Sequence, residues 1–197
     1  EMSGNGIRCL VQAAHSTLKG VAGTVYDVST DAGSREAVVT SEWDDDTIHI
    51  SVDMGYVEDI EEPQNWASLL CDPMRPVRHV SVGNPHSVVG VEDVVAIDLV
   101  HLGSLVPHIN LEVIEQGPET NAITMRVHER GAGITRACGT GACAAADAAL
   151  VWGLVPQSVE HVIVHMDGGD ASVRISDDRR ATLIGPAVFI GSVTVHA

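Results

Sequence analysis

The chain of 197 residues is 45% hydrophobic but only 3% aromatic, so one large or two small domains must be built around aliphatic side chains. Its 11 Lys and Arg stand against 27 Asp and Glu, and the formal net charge of −16 argues against nucleic-acid and membrane partners. No membrane-spanning run or signal peptide is visible, and the four cysteines lack the C-x-x-C spacing of zinc sites. We therefore expect a cytoplasmic protein that binds no metal.

The first quarter of the chain predicts a helix followed by strands. Gly20 ends the helix, and an Asp-Ala-Gly turn at 31–33 separates two of the strands. Ile48, Ile50 and Val52 alternate with other residues, which indicates a strand with one buried face. The predicted elements are a helix over 7–19, strands over 21–28, 36–40 and 47–52, and a hydrophilic connection over 43–46.

The rest of the chain predicts an irregular segment, two helices and many short strands. Residues 56–76 are rich in proline and acidic residues, and their prolines argue against a long helix. Alanine is the best helix former, so the Ala-rich run from near Thr140 to Leu150 predicts a helix. The remaining elements are a helix over 93–105 and strands over 77–82, 110–114, 122–128, 159–165, 171–175, 181–184 and 187–195, and 88–91 is a further apolar stretch.

The glycine-rich loop before the Ala-rich helix predicts a reactive thiol. Cys138 stands just ahead of that helix in the segment Glu-Arg-Gly-Ala-Gly-Ile-Thr-Arg-Ala-Cys-Gly-Thr-Gly, residues 129–141. Glycines let backbone N–H groups face a ligand closely, and the positive end of the helix dipole stabilises a thiolate. We therefore expect the pKa of Cys138 to lie well below the free value of about 8.5. A small buried cysteine in a turn is the alternative, and Cys143 is expected only to pack inside the helix.

The start of the chain repeats this arrangement. Ser-Gly-Asn-Gly at 3–6 opens the first helix as Cys-Gly-Thr-Gly at 138–141 opens the Ala-rich helix, an offset of 135 residues. Two such loops indicate a duplicated domain, in which two helix N-termini face one small anionic molecule from opposite sides. By the same logic about 50–75 residues of the first domain would precede Ser3, so we expect the chain to be a fragment.

Three separated motifs resemble the diaminopimelate epimerase family. They are Gly-Asn-Gly-Ile-Arg-Cys at 4–9, Gly-Asn-Pro-His at 83–86 and the loop at 129–141, in the order that the family has them. That family consists of cofactor-independent amino-acid epimerases with two cysteines in the cleft between two similar halves. The resemblance implies an α/β (α+β) fold of two pseudo-symmetric domains, each a mixed β-sheet or barrel wrapped around a central helix. The first domain, 1–46 with 185–197, would be incomplete, and 47–184 would form the second.

The resemblance also implies a role for individual residues. Epimerisation removes the Cα proton from one face and delivers another to the opposite face, which requires two acid/base groups. Cys138 would be one of them, and position 3, where the family has its other cysteine, carries Ser3. His86 and Glu129 would help to set the protonation of the cysteine. The expected substrate-binding residues are Gly4, Asn5, Gly139 and Thr140 at the reacting centre, and Asn84, Asn110, Glu129 and Arg130 at the distal end.

Ser3 is the main departure from the family pattern, because a serine hydroxyl is far less acidic than a thiol and works only beside an activating base. Three interpretations stay open at this point. Ser3 is a substitution introduced to block turnover or disulfide closure, a natural variant with altered efficiency, or the mark of a divergent relative with one-base chemistry, such as a dehydratase or isomerase.

The leading hypothesis is an isomerase that converts LL-2,6-diaminopimelate to the meso form, a step in lysine and cell-wall precursor synthesis. No Rossmann fingerprint, P-loop or pyridoxal lysine is visible, so we expect no cofactor. The expected partner is the small amino-acid substrate, and a homodimer is the assembly to consider. The alternatives are a relative of proline racemase and hydroxyproline epimerase, which also carry a Cys-Gly-Thr-Gly loop, and an impaired fragment that only binds substrate.

Overall fold

The structure, a computed structural model, describes residues 3–31, 33–42 and 46–194. Within them, twelve strands form one mixed sheet accompanied by three α-helices, which confirms the predicted α+β class. The helices are α1 (Gly4–Leu18), α2 (Leu99–Leu105) and α3 (Gly139–Trp152), and a 3₁₀ turn spans Trp66–Leu69. The strands are β1 (Val25–Thr30), β2 (Gly33–Glu42), β3 (Thr47–Tyr56), β4 (Glu58–Asp59), β5 (Val77–Ser81), β6 (Pro85–Gly90), β7 (Asn110–Gln116), β8 (Ala122–Glu129), β9 (Gly133–Thr135), β10 (Val162–Met166), β11 (Gly169–Ile175) and β12 (Arg180–Val188).

Strands from the first and the last part of the chain pair with each other near one edge of the sheet. Its strand order is β1-β2-β3-β12-β11-β10-β8-β7-β6-β5-β4, with β9 paired to β8 at the side. The pairs β6–β7 and β8–β10 are parallel, whereas β12 runs antiparallel to β3 from Val188 beside Thr47 to Arg180 beside Tyr56. The division into 1–46 with 185–197 and 47–184 stays a prediction.

Helix α3 lies at the centre of the wrapped sheet. Every residue from Gly139 to Ala149 is buried, and strands β5 to β8 and β10 to β12 all contact the helix. A helix that is apolar on all sides must be covered on all sides, and alanine lets strands approach its axis closely. The Ala-rich sequence therefore both forms the helix and allows the sheet to wrap around it.

Several predicted elements are confirmed with shifted ends. Helix α1 begins at Gly4 rather than at residue 7, because Ser3 caps it. Ile48, Ile50 and Val52 are buried on one face of β3, as their alternation predicts. The predicted connection at 43–46 lies outside the described residues apart from Asp46. None of the helices in the described part of the chain is both long and apolar enough to cross a membrane.

Two predicted elements are wrong. The helix predicted over 93–105 begins only at Leu99, because the Asp93 carboxylate accepts hydrogen bonds from the Val95 and Ala96 N–H groups and Asp98 caps α2 instead. The strand predicted over 187–195 does not exist as a separate element among the described residues. Instead β12 continues from the predicted strand 181–184 to Val188, since β3 offers it a long antiparallel partner.

Candidate active site

The residues that precede α1 and α3 have the same local geometry. Ser3 has φ −123° and ψ 114°, and Cys138 has φ −134° and ψ 115°. The Oγ of Ser3 accepts the Gly6 N–H at 3.1 Å, and the Sγ of Cys138 accepts the Gly141 N–H at 3.4 Å. Both are N-caps in extended conformation whose side chains accept from the helix's third residue. The offset of 135 residues therefore relates two equivalent helix starts.

The two helix starts touch each other. A Cβ added to Gly139 would lie 3.4 Å from the Cα of Gly4, and a Cβ on either glycine would lie only 2.9 Å from Cδ2 of Leu183. A side chain at either position would require the end of the Leu183 side chain to shift. The glycines thus bring the N-terminus of α1 against that of α3, so that Ser3 and Cys138 border the same space.

A polar cavity of about 230 Å³ opens between the two helix starts. Of the site residues predicted from the sequence, His86 is the one that does not line it. The cavity is of a size for a small polar molecule, and the N-terminal N–H groups of two helices favour an anionic one. Its lining consists of Ser3, Gly4, Asn5, Asn84, Asn110, Glu129, Arg130, Ala137, Cys138, Gly139 and Thr140.

Asn110 holds together two of the loops that form the cavity. Its Nδ2 donates to the carbonyl of Pro85 at 2.9 Å, and its Oδ1 accepts the N–H of Arg130 at 2.9 Å. The Glu129 carboxylate next to Arg130 accepts the hydroxyl of Thr135. Asn110 therefore positions Arg130 at the cavity in addition to lining it.

His86 lies behind the cavity wall rather than in it. Its side chain is fully buried, with Nδ1 2.6 Å from Oε1 of Glu112 and Nε2 3.0 Å from Oδ1 of Asn84. Glu112 is equally buried and was missed in the sequence. A signal was available, because Asn110 and Glu112 are two residues apart on one strand and therefore share a face. His86 is the register partner of Asn110 on the neighbouring strand.

The expectation of a lowered pKa for Cys138 is wrong. The side chain is only 5% exposed, and this burial, together with the nearby carboxylates of Glu112 and Glu129, raises the pKa of Cys138 to about 12. Hydrogen bonds from Thr140 and Gly141 offset only part of that increase. Removing an anion from water outweighs the helix N-terminus at this site. Cys138 is therefore held as a thiol that can donate a proton.

Arg8, like Glu112, supports the cavity from outside its lining. Its guanidinium donates to Oδ1 of Asn5 at 2.8 Å and to the carbonyl of Pro186 at 3.3 Å. It therefore holds the side chain of Asn5 at the cavity and ties α1 to β12. Within residues 3–31, 33–42 and 46–194, no group of three or more His, Cys, Asp or Glu is arranged to hold a metal ion.

Comparison with known proteins finds relatives of this chain in both sequence and fold. The model of the diaminopimelate epimerase family matches residues 78–190. Diaminopimelate epimerase of Synechococcus elongatus is 36% identical, covering 100% of this chain and 74% of the relative, and that of Bacillus pumilus is 33% identical, covering 98% and 73%. A hydroxyproline epimerase from Agrobacterium vitis has the same fold, with a TM-score of 0.66 at 19% identity over 95% of this chain and 65% of that protein.

The fold and these relatives define the chain as an isomerase. Within that class it belongs to the diaminopimelate epimerase family.

Proposed function

We propose that the chain interconverts LL-2,6-diaminopimelate and meso-diaminopimelate by proton transfer at Cα, without a cofactor, in the synthesis of lysine and cell-wall precursors. One observation carries the proposal: Ser3 and Cys138 cap two touching helix starts and line one polar cavity. Two acid/base positions on either side of a small cavity are what inversion at a carbon requires. Relatives that are 33–36% identical over nearly the whole chain bear the name diaminopimelate epimerase.

The cavity offers binding groups for both ends of such a substrate. At the reacting centre, the first residues of α1 and α3, Gly4 and Gly139, line the cavity. The N-termini of two helices suit a carboxylate and the negative charge that develops on it. The side chains of Asn5 and Thr140 add polar contacts there. At the opposite end, Arg130 would bind the distal carboxylate and Glu129 the distal ammonium. Asn84 and Asn110 would complete that end.

The proton chemistry is unequal on the two faces. Removal of the Cα proton on the Ser3 side would leave an electron pair on the substrate, which the helix starts stabilise. The buried Cys138 thiol would then give its proton to that pair on its own side of the carbon. In the reverse direction the Cys138 thiolate takes a proton from the same face. Ser3 stands at the other face, and a hydroxyl is a weak acid and a weak base. We therefore propose that proton transfer on the Ser3 face limits the rate.

Exchange of the Cα hydrogen in deuterated water tests the proposal. LL- and meso-diaminopimelate are each incubated with the protein, and deuterium incorporation and interconversion are followed by nuclear magnetic resonance. We expect incorporation that depends on Cys138 and is faster for the epimer that presents its hydrogen to that side chain. Absence of both exchange and binding for both epimers would overturn the proposal.

A one-base isomerase or dehydratase on the same substrate class is the second candidate, and Ser3 favours it. The Ser3 hydroxyl is occupied as the acceptor of the Gly6 N–H, and no described His, Asp or Glu side chain hydrogen-bonds to it. Exchange of one epimer without any interconversion would support this candidate over epimerisation.

A further inference from the structure

A continuous set of hydrogen-bond contacts connects the sulfur of Cys138 to a buried carboxylate. The Sγ of Cys138 lies 3.5 Å from Oγ1 of Thr140, which accepts from Nδ2 of Asn84 at 3.2 Å. The Oδ1 of Asn84 lies 3.0 Å from Nε2 of His86, and Nδ1 of His86 lies 2.6 Å from Oε1 of Glu112. We call this series, from Glu112 to Cys138, the sulfur chain.

The far end of the sulfur chain is fully enclosed. The side chains of His86 and Glu112 have no solvent exposure, and among the described residues Oε2 of Glu112 has no hydrogen-bond partner. A Cβ added to Gly141 would lie 2.7 Å from Oε1 of Glu112, so the carboxylate is packed against the first turn of α3. An uncompensated negative charge is strongly disfavoured in such a place. One proton shared between Nδ1 of His86 and Oε1 of Glu112 would remove that charge, and it suits their separation of 2.6 Å.

The shared proton sets the direction of every hydrogen bond in the sulfur chain. With it, Nε2 of His86 must carry a hydrogen, and this N–H donates to Oδ1 of Asn84. The amide nitrogen of Asn84 then faces Thr140 and donates to its hydroxyl oxygen. The hydroxyl hydrogen of Thr140 is left free to donate to the sulfur. The opposite direction would require Nε2 to accept. The pair would then carry a buried net negative charge, or need a proton on Oε2 of Glu112, which has no hydrogen-bond partner among the described residues.

We propose that Glu112 is a positioning residue, which shares one proton with His86 and thereby directs the hydroxyl hydrogen of Thr140 onto the sulfur of Cys138. The hydrogen bond stabilises the thiolate whenever Cys138 gives up its proton during turnover. This inference rests on the proposed function for the role of Cys138 as the acid/base group, and it adds a residue outside the cavity that controls it.

Simple electrostatics makes the opposite prediction for Glu112. Among the described residues, Glu112 on β7, Glu129 at the end of β8 and Cys143 on α3 act on the sulfur, and Arg8 on α1 acts on Cys143. Arg130 lines the same cavity as the sulfur. If Glu112 acted only as a nearby negative charge, its removal would make the thiol more acidic. If it acts through the sulfur chain, its removal makes the thiol less acidic, because the direction of donation is no longer imposed.

The variant Glu112→Gln separates the two roles by the sign of its effect. Its neutral amide can either donate to or accept from His86, so both directions of the sulfur chain become available. The readout is the rate at which iodoacetamide alkylates Cys138 at a fixed alkaline pH, measured on the Cys138 peptide by mass spectrometry. We expect a rate about two- to tenfold lower than in the unmodified protein. An equal or higher rate overturns the proposal.

Two further variants show whether Glu112 acts through Thr140. Thr140→Val removes the donor and is expected to lower the rate about tenfold or more. In that background Glu112→Gln should have no further effect, whereas an additional decrease would contradict the proposed route. Asp147→Asn is the control, because it alters a different buried carboxylate, which lies on α3. It should leave the alkylation rate of Cys138 unchanged, provided that circular dichroism shows the same folded content as in the unmodified protein.

The hydrogen on His86 can be observed directly in the unmodified protein, whether or not the variants fold. Long-range ¹H–¹⁵N spectra are expected to show a protonated Nε2, and an unprotonated Nε2 would overturn the proposal. Neither measurement needs a substrate. If the variants alter the alkylation rate of Cys138 as predicted but no diaminopimelate exchange occurs, only the proposed function is refuted. If exchange is normal but the variants leave the alkylation rate unaltered, only the role of the sulfur chain is refuted.

Discussion

Helices α1 and α3 begin alike but lie in different surroundings. Both are opened by an extended N-cap followed by a glycine, and the two glycines are in near contact. Along α1, however, Leu10 is 56% exposed, whereas Ala145, its equivalent 135 residues later, has no exposed surface. A repeated motif thus reproduces the local geometry of a helix start without reproducing its environment.

That difference in burial decides the chemistry of the two capping residues. Ser3 is exposed and carries a hydroxyl, whereas Cys138 is enclosed by carboxylates and strands and remains a thiol. A helix N-terminus acts on both, but its effect on a charge is smaller than the cost of removing that charge from water. The two capping residues that line the cavity are therefore chemically unequal although their backbone conformations match.

The sharpest test of this inequality is the removal of each cap side chain. Cys138→Ala should lower exchange of the Cα hydrogen about 10²–10⁴-fold, because it removes the acid/base group of one face. Ser3→Ala should lower the same exchange rate less than about tenfold, since the Ser3 hydroxyl transfers protons poorly. Deuterium exchange of both epimers is the measurement. Equal losses would show that Ser3 is a full acid/base partner.

The reverse experiment makes the two faces alike. Ser3→Cys places a thiol at each helix start and should increase interconversion of LL- and meso-diaminopimelate about 100-fold. Ser16→Cys, which adds a thiol to the exposed surface of α1 away from the cavity, serves as the control. A Ser3→Cys protein no faster than this control would argue against proton transfer from position 3.

The equivalent buried polar positions of the two helices should differ in their contribution to stability. Asp147 of α3 is paired with Arg78 at 3.1 Å and Arg179 at 3.0 Å, and both arginines also contact Asp59. Asp147→Asn should reduce the free energy of unfolding by about 3 kcal/mol, the low end for breaking a buried ion pair, because both arginines still contact the Asp59 carboxylate.

At the matching position of α1, Gln12 makes a neutral hydrogen bond to the carbonyl of Asp46 at 3.2 Å. Gln12→Ala should reduce the free energy of unfolding by only about 1 kcal/mol. Urea unfolding of the two variants side by side measures the contrast. Similar losses would mean that the charge of Asp147 adds nothing beyond its hydrogen bonds.

Packing should show a smaller contrast between the helices. Ala145→Leu adds volume where strands enclose α3 and should destabilise the protein by about 1–3 kcal/mol. Leu10→Ala removes an exposed side chain and should alter stability by no more than about 0.5 kcal/mol. Thermal unfolding detects both effects, and a large loss for Leu10→Ala would show that this face of α1 contributes packing that its exposure hides.

Sequence patterns were reliable where neighbours along the chain decide the structure. The alanines of α3, the alternation in β3 and the two glycine-rich helix starts were found because propensity and capping act over a few residues. The motifs also brought together most of the residues that line the cavity. They were unreliable for residues 187–195, where pairing with β3 decides where β12 ends.

The chain's own order of residues determined the class of fold, the two capped helix starts and the chemical groups around the cavity. Only the tertiary structure decided that Gly4 and Gly139 touch, that burial keeps Cys138 protonated, and that His86 reaches Glu112 instead of the cavity. The physical reason is the distance along the sequence over which each interaction acts. Helix formation and capping depend on adjacent residues, whereas desolvation and buried hydrogen bonds depend on strands that are distant in the sequence.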